Sequence, residues 1–370
     1  MLQKVVMLAL VFAAIAAGVG CGNTSSHYVY ATMPAANELA AFREDPNSGV
    51  LTELAGSPYT VGDGIHSIVI HPSGQFMYAC NPGIAANNEN DISLFDIATD
   101  GEVTEIFPRT PLGSTVSLPQ LLVMDPAGAY LYVMNAGSNN ISIFSIDSST
   151  GGLTQVPNSP VSIGLTPLNM QITPNGNLLY VTAVGTNITG EIVGYSLNAG
   201  QLTEIGVTQS DGLNPAGLVI DPKGAYLYAG NNAASSSSIS IFSIGSSGAL
   251  TQVQGSPLND SGYSSPIWMT FDPVGQYLYV ANEASNNVTA YSISSTTGLP
   301  SALTTTITTN AFATESNPSF IALDPTGNYL FVGNQLAPAG IQVFTVSTGT
   351  LTVIKDYPVG NTVSSIAVLK

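Results

Sequence analysis

Three histidines, His27, His66 and His71, are the side chains of this sequence best suited to move a proton near neutral pH. His66 directly precedes the apolar run Ser67–Ile70, and Asp63 stands three residues before it. We therefore predict that His66 is a general base and that an acidic neighbour orients it. His71 begins a turn at which other segments have Asp, so we expect it to cap that turn. His27 follows a Ser-rich segment, and we expect it to be exposed to solvent.

Polar and aromatic loop residues could complete a site around His66. The repeat described below places these residues at one end of the molecule: Asp63, Gln120, Asp211, Asp260, Tyr263, Trp268, Glu283 and Glu315. Aromatic faces stack on sugars and attract cations, so this rim favours an uncharged small molecule, a glycan or a cationic peptide. The alternative is that these are ordinary loop residues around a water-filled channel. No Cys or His spacing matches a zinc site, and we predict no metal and no cofactor.

The charge balance excludes several classes of partner. The chain of 370 residues carries 23 Asp and Glu against 6 Lys and Arg, which gives a formal charge of −17. Nucleic-acid binding requires several basic side chains to displace counterions from phosphates, so we predict no nucleic-acid partner. Anionic membrane surfaces are excluded as electrostatic partners for the same reason. We also expect a monomer.

The N-terminus has the pattern of an export signal. Residues 1–20 comprise a short start with Lys4 and an uncharged, Ala-rich run to Gly20. Cys21 follows these small residues, as in the lipobox of bacterial lipoproteins, which the segment resembles. We therefore predict a signal peptide over 1–20, a lipidated Cys21 with a tether over 21–26, and contact with a membrane only through that lipid. Secretion without lipid and an uncleaved anchor are the alternatives.

Cys80 ends the run Gln75–Ala79, whose composition is that of a buried strand. If Cys21 carries lipid, Cys80 has no partner for a disulfide. We expect a small buried hydrophobic side chain rather than a reactive thiol.

A turn of the form x-Pro-x-Gly recurs every 48 to 54 residues and sets the fold. Its six copies begin at His71, Asp125, Thr173, Asp221, Asp272 and Asp324. A period near 50 residues is typical of propellers and solenoids. Each turn joins two apolar runs, and a third, alternating run and a fourth run follow, as in Ile141–Ile146 and Leu153–Val156. Four antiparallel strands, innermost first, make one propeller blade.

The two ends of the chain predict how the ring closes. His27–Ala31 reads as a second strand with no first strand before it, whereas Ser364–Val368 copies the inner-strand run Ser319–Leu323. We therefore predict an all-β, seven-bladed propeller over residues 27–370, in which the C-terminal strand joins the N-terminal blade. This closure leaves no free sheet edge.

The repeat from Gly62 to Asn81 resembles that of the seven-bladed propeller lactonases, which include a 6-phosphogluconolactonase, and Asn177–Thr182 resembles the related YVTN surface-protein repeat. The resemblance runs from about His27 to Lys370. It implies lactone hydrolysis at a site of His, Arg and Glu near the central channel, and here only His66 matches. Arg43 follows an outer strand and Arg109 falls in a loop between blades, so neither is expected at the channel.

Two hypotheses for function stand on these residues, with a purely structural envelope protein as a third. The first is an exported, lipid-anchored binding or scaffold module whose ligand site is the mouth of the channel. The second is a lactone hydrolase of the 6-phosphogluconolactonase type with a divergent site. The missing arginines favour the first, and the extent of the resemblance favours the second.

Overall fold

Seven antiparallel sheets are arranged as the blades of a propeller in this computed structural model, which describes residues 26–83, 90–185, 189–233, 237–259, 264–303, 311–314, 317–336 and 339–370. In those ranges no helix is long and apolar enough to cross a membrane. The proposed leader, Cys21 and most of the tether lie outside the described residues, as do Asp260, Tyr263 and Glu315.

Each blade has an inner strand at the channel and three further strands outward from it, and four blades carry an additional short strand. Blades are numbered along the chain. The first blade contains β1 (His27–Met33), β2 (Glu38–Glu44), β3 (Leu51–Glu53) and β4 (Tyr59–Thr60). The second contains β5 (Ser67–Ile70), β6 (Phe76–Asn81), β7 (Asp91–Ile97) and β8 (Val103–Pro111). The third contains β9 (Pro119–Met124), β10 (Tyr130–Asn135), β11 (Asn140–Ile146), β12 (Leu153–Gln155) and β13 (Val161–Ser162). The fourth has β14 (Thr166–Ile172), β15 (Leu178–Val184), β16 (Thr189–Asn198) and β17 (Gln201–Leu213).

The other three blades follow the same order. The fifth blade contains β18 (Pro215–Ile220), β19 (Tyr226–Asn231), β20 (Ser238–Ile244), β21 (Leu250–Gln252) and β22 (Leu258–Asn259). The sixth contains β23 (Pro266–Phe271), β24 (Tyr277–Asn282), β25 (Asn287–Ile293), β26 (Pro300–Ala302) and β27 (Ala311–Ala313). The seventh contains β28 (Pro318–Leu323), β29 (Tyr329–Asn334), β30 (Gly340–Ser347) and β31 (Thr350–Pro358). The predicted fold class, blade order and strand count are confirmed.

The last strand, β32 (Ser365–Leu369), is the inner strand of the first blade. It pairs antiparallel with β1, with Thr32 opposite Ser365 and Tyr28 opposite Leu369. The predicted closure by the C-terminal strand is thus confirmed.

The hydrophobic core lies between neighbouring blades, because each sheet is apolar on both faces. One cluster joins Val29 and Phe42 of the first blade to Phe331 and Val343 of the seventh. Buried tyrosines on the second strands add polar links: the hydroxyl of Tyr30 donates to the carbonyl of Gly101 in the next blade at 2.7 Å. Tyr78, Tyr180 and Tyr228 repeat this bond with Gly151, Gly248 and Gly298.

The two ends of the ring are formed by different parts of each blade. At the upper end the inner strands begin, starting with residues such as His66 and Gln120. At the lower end the six x-Pro-x-Gly turns join inner strands to second strands. His71 caps its turn as predicted, since its Nδ1 accepts a hydrogen bond from the backbone N–H of Ser73 at 3.1 Å. Cys80 is fully buried in β6, also as predicted.

Candidate functional site

His66 lies at the upper end of the channel, immediately before β5, with its side chain half-buried. Its Nδ1 is 2.9 Å from the backbone carbonyl oxygen of Gln120, at the start of the next inner strand. A carbonyl oxygen only accepts hydrogen bonds, so Nδ1 carries the hydrogen and the neutral ring has its lone pair on Nε2. The sequence predicted an acidic residue as the orienting group, whereas the structure shows this carbonyl.

The surroundings keep the His66 ring neutral near pH 7. Burial lowers the pKa of His66, and this outweighs the opposite effect of the bond to Gln120. A neutral imidazole with a fixed tautomer and an unprotonated Nε2 can take a proton from water.

The His66 backbone is held by the closure of the ring. Its carbonyl oxygen accepts hydrogen bonds from the hydroxyls of Ser364, at 2.6 Å, and Thr32, at 3.0 Å. Its N–H donates to the carbonyl of Cys80. The position of the candidate base therefore depends on the pairing of the chain's first and last strands.

Similar bonds link inner strands elsewhere around the channel. The Asn169 side-chain amide donates to the carbonyl of Ala216 at 3.0 Å, and the Ser319 hydroxyl donates to that of Val363 at 2.6 Å. The bond from His66 to Gln120 belongs to this set, so His66 also has a structural role. An asparagine can make such a bond, as Asn169 shows, but it cannot accept a proton as imidazole does.

Trp268, proposed as a stacking surface, closes part of the channel. Its half-buried indole stacks on Phe320 with ring centroids 4.1 Å apart. It packs against the cluster between the sixth and seventh blades and also against that between the third and fourth. Because those blades are not neighbours, the indole reaches across the channel from the third residue of β23. One face of the indole is thus already covered by Phe320.

The remaining predicted residues fall into two groups. Asp63 and Glu283 are half-buried at the upper end, where they accept hydrogen bonds from Asn37 at 3.0 Å and Asn317 at 3.2 Å. Asp211 lies in β17, and nothing is described of its side chain; Tyr263 lies outside the described residues. Binding by these residues stays a prediction.

Arg109 differs from the sequence expectation. It lies in β8 rather than in a loop, because Val103–Pro111 continues as the outer strand of the second blade. Its guanidinium bonds Glu105 at 2.6 Å, and this contact raises the pKa of Arg109, with smaller contributions from Asp91 and Asp63. The charge of Arg109 is therefore already matched by the Glu105 carboxylate. The nearby opposite charge of Glu105, four residues before Arg109, was the available signal in the sequence.

Comparison with known proteins adds a family and several relatives. A family model described as lactonase, 7-bladed beta-propeller, matches residues 23–165, 167–264 and 261–364. A 6-phosphogluconolactonase of Yersinia pestis (strain Pestoides F) is 24% identical over 342 residues, which are 90% of this chain and 95% of that protein.

Two solved structures have the same fold. A putative 6-phosphogluconolactonase from Bacteroides fragilis superposes with a TM-score of 0.76 at 18% identity, over 94% of this chain and 99% of the other. A periplasmic gluconolactonase from Pseudomonas aeruginosa gives the same TM-score at 15% identity and the same coverage.

Proposed function

The chain belongs to the seven-bladed β-propeller lactonase family, and on that premise we propose that it hydrolyses an uncharged sugar lactone at the upper end of its channel, with His66 as general base. The observation that carries this proposal is the fixed tautomer of His66, whose Nδ1 donates to Gln120 and whose Nε2 is left unprotonated. The sequence alone favoured a binding module, and the family and its lactonase relatives favour the enzyme.

The chemistry needs one proton acceptor and a water molecule. Nε2 of His66 takes a proton from water as the water oxygen attacks the lactone carbonyl carbon. The ester C–O bond of the ring then breaks, and the imidazolium returns the proton to the leaving ring oxygen. The product hydroxy acid ionises, so one proton is released to solution for each ring opened.

The position of the basic residues supports an uncharged substrate rather than a phosphosugar. The described basic side chains lie on the third or fourth strands of their blades, at a lower-end turn or at the C-terminus: Arg43, Arg109, Lys223, Lys355 and Lys370. Arg109 is paired with Glu105, and Lys355 lies over the ring of Tyr357. A phosphate dianion at the upper end would face Asp63 and Glu283 in a partly enclosed, weakly screened mouth.

Two variants of His66 separate catalysis from structure. His66→Asn keeps a side-chain donor for the Gln120 carbonyl, as at Asn169, but removes the base. We expect it to retain the wild-type melting temperature and to lose about 100-fold or more in kcat/KM for gluconolactone, measured by base uptake after subtraction of spontaneous hydrolysis. His66→Ala removes both functions and should lower stability as well.

His71→Asp is the matched control, since it changes the same residue type in the same blade and restores the residue found at other turns. It should hydrolyse gluconolactone like the wild type. Activity that survives in His66→Asn would exclude His66 as the base.

We also propose that the protein is exported and anchored through a lipid on Cys21. The support is the apolar run ending in Gly20 and the small residues before Cys21. An anchored hydrolase outside the cytoplasm would meet free sugar lactones rather than cytosolic phosphosugars, which agrees with the charge argument.

A further inference from the structure

The lower end of the ring is regular except at its closure. A Cβ added to Gly176, Gly224, Gly275 or Gly327 would lie 2.7 to 3.5 Å from the proline of the turn in the preceding blade, so these turns nest closely. The first blade has no such turn, because the chain begins and ends there. His27 starts β1 at this place, beside the Asp324 turn of the seventh blade.

Three side chains with metal-binding atoms meet at this closure. Nδ1 of His27 is 3.2 Å from Oε2 of Glu44 and 3.8 Å from Oδ2 of Asp324. The three residues are 3%, 0% and 1% exposed. The expectation that His27 is solvated is therefore wrong, because the seventh blade covers the start of the first strand.

Glu44 departs from the repeat at its position. The backbone N–H groups of Ile97, Ile146, Leu197, Ile244, Ile293 and Val346 bond the residue before each second strand, and these six residues correspond to Glu44. All six are aliphatic, and Glu44 is the acid in their place, opposite His27 in the β1–β2 pairing. The residues that correspond to His27 include Gln75 and Gln276, and both are exposed.

The Glu44 carboxyl has an unused ligand atom. Its Oε1 is buried and has no hydrogen-bond partner among the described residues. Two buried carboxyl groups beside one imidazole are costly to hold together unless a cation is shared between them.

Asp324 is fixed in place by its own turn. Its Oδ1 accepts a hydrogen bond from the N–H of Tyr329 at 2.8 Å, and its Oδ2 accepts one from the N–H of Thr326 at 3.0 Å. The carboxylate is therefore held towards His27 without rotating freely.

We propose that His27, Glu44 and Asp324 bind a divalent metal ion, with Zn²⁺ as the ion that best matches one imidazole and two carboxylates. Bond lengths of about 2.1 Å in a tetrahedron place ligand atoms about 3.4 Å apart. The observed separations of 3.2 and 3.8 Å are close to that value, and the three ligand atoms all lie within 4.8 Å of one another. The ion would link β1 and β2 of the first blade to the Asp324 turn of the seventh blade. It would therefore stabilise the contact between these two blades, where the ring closes.

This metal site is separate from the proposed catalytic site. Thr32 bonds the carbonyl of His66 at the upper end, and His27 lies five residues earlier on the same strand. At about 3.4 Å per residue the two places are about 17 Å apart. The inference therefore does not depend on the proposed function.

The test is zinc binding by tag-free, chelator-treated protein. We expect isothermal titration with ZnCl2 to give one saturable site per chain. Zinc at about 100 times its dissociation constant should raise the melting temperature by about 4 °C.

Two variants place the ion at this cluster, and both restore residues that the repeat itself carries. Glu44→Ile and His27→Gln should fold, and each should weaken zinc binding by about 100-fold or more, since loss of even an outer partner costs about 10- to 100-fold. His71→Asp removes a histidine at another turn and should bind zinc like the wild type.

The outcomes are decisive whether or not both variants fold. No saturable zinc binding by the wild type would overturn the proposal, as would undiminished binding in either variant. If one variant fails to fold, the other decides. Binding that is lost in His71→Asp but kept in Glu44→Ile would also reject the site, because it would move the ion to another turn.

Discussion

Removing the closing strand should cost about half or more of the stability of the ring. Deletion of residues 364–370 removes β32, which pairs with β1 at five positions from Thr32–Ser365 to Tyr28–Leu369. About five backbone hydrogen bonds at about 1 kcal/mol each, with about 2.5 kcal/mol for burial of Ile366, amount to roughly 7.5 kcal/mol. A whole domain is stable by only about 5–15 kcal/mol.

A milder test keeps β32 and truncates its one fully buried apolar side chain, Ile366. Ile366→Ala should raise the free energy of the native state by about 3 kcal/mol, and Ile321→Ala, at the corresponding position of the seventh blade, should cost about the same. Both side chains are buried, at 3% and 1% exposure.

Urea unfolding followed by tryptophan fluorescence measures all three proteins. The truncated chain should be unfolded or aggregated, since it exposes both its inner-strand gap and an edge of β1. A truncated chain with the wild-type midpoint would show that β32 is not needed for stability. So would a cost under about 1 kcal/mol for Ile366→Ala beside about 3 kcal/mol for Ile321→Ala.

Three further outcomes are expected. Burial lowers the pKa of His66, and only the neutral ring is a base, so kcat/KM for gluconolactone should fall at low pH with a midpoint below the ordinary value of 6.5; a midpoint above 6.5 in a pH-stat series would contradict this. Burial raises the pKa of the Cys80 thiol to about 12, so a Cys21→Ser protein should show no reaction with Ellman's reagent when native and one thiol in denaturant, and native reactivity would show that the second blade opens. In cells, Cys21→Ser should release the protein from the membrane fraction or leave its leader uncleaved, whereas an unchanged mature membrane protein would exclude lipidation at this residue.

Much of the fold follows from residues that repeat. The x-Pro-x-Gly turns fix where inner and second strands meet, and they also identify His71 as a turn cap. The apolar runs on both sides of each turn require burial on two faces, which neighbouring blades supply. The unmatched strands at the two ends of the chain then leave one way to close the ring. In the structure β32 pairs with β1 as the inner strand of the first blade.

The features that the sequence did not predict depend on contacts between distant segments. The polar residues that precede His27 in the sequence predict that it is exposed. It is instead buried, because the Asp324 turn of the seventh blade covers it. Glu44 could have been singled out by aligning it with the aliphatic residues at its position in the other blades. The sequence predicts that Trp268 binds a ligand. In the structure its indole stacks on Phe320 of the next inner strand, a contact between segments that are distant in sequence.

The candidate site was predicted only in part for the same reason. His66 was found from its place before an inner strand, but its orienting partner is a main-chain carbonyl, which no side-chain pattern reveals. The sequence predicts Arg109 in a loop between blades, whereas the outer strand β8 continues through Pro108 to Pro111.

The turnover of two lactones by the wild-type protein tests the proposed hydrolysis of an uncharged sugar lactone most directly. Gluconolactone and 6-phosphogluconolactone differ by one phosphate, and their hydrolysis can be followed by base uptake under identical conditions. We expect saturable turnover of gluconolactone, with kcat/KM for the phosphorylated lactone at least about tenfold lower because its charge faces an acidic mouth. Preferred turnover of the phosphorylated lactone, or no enzymatic turnover of gluconolactone above its spontaneous rate, would contradict it.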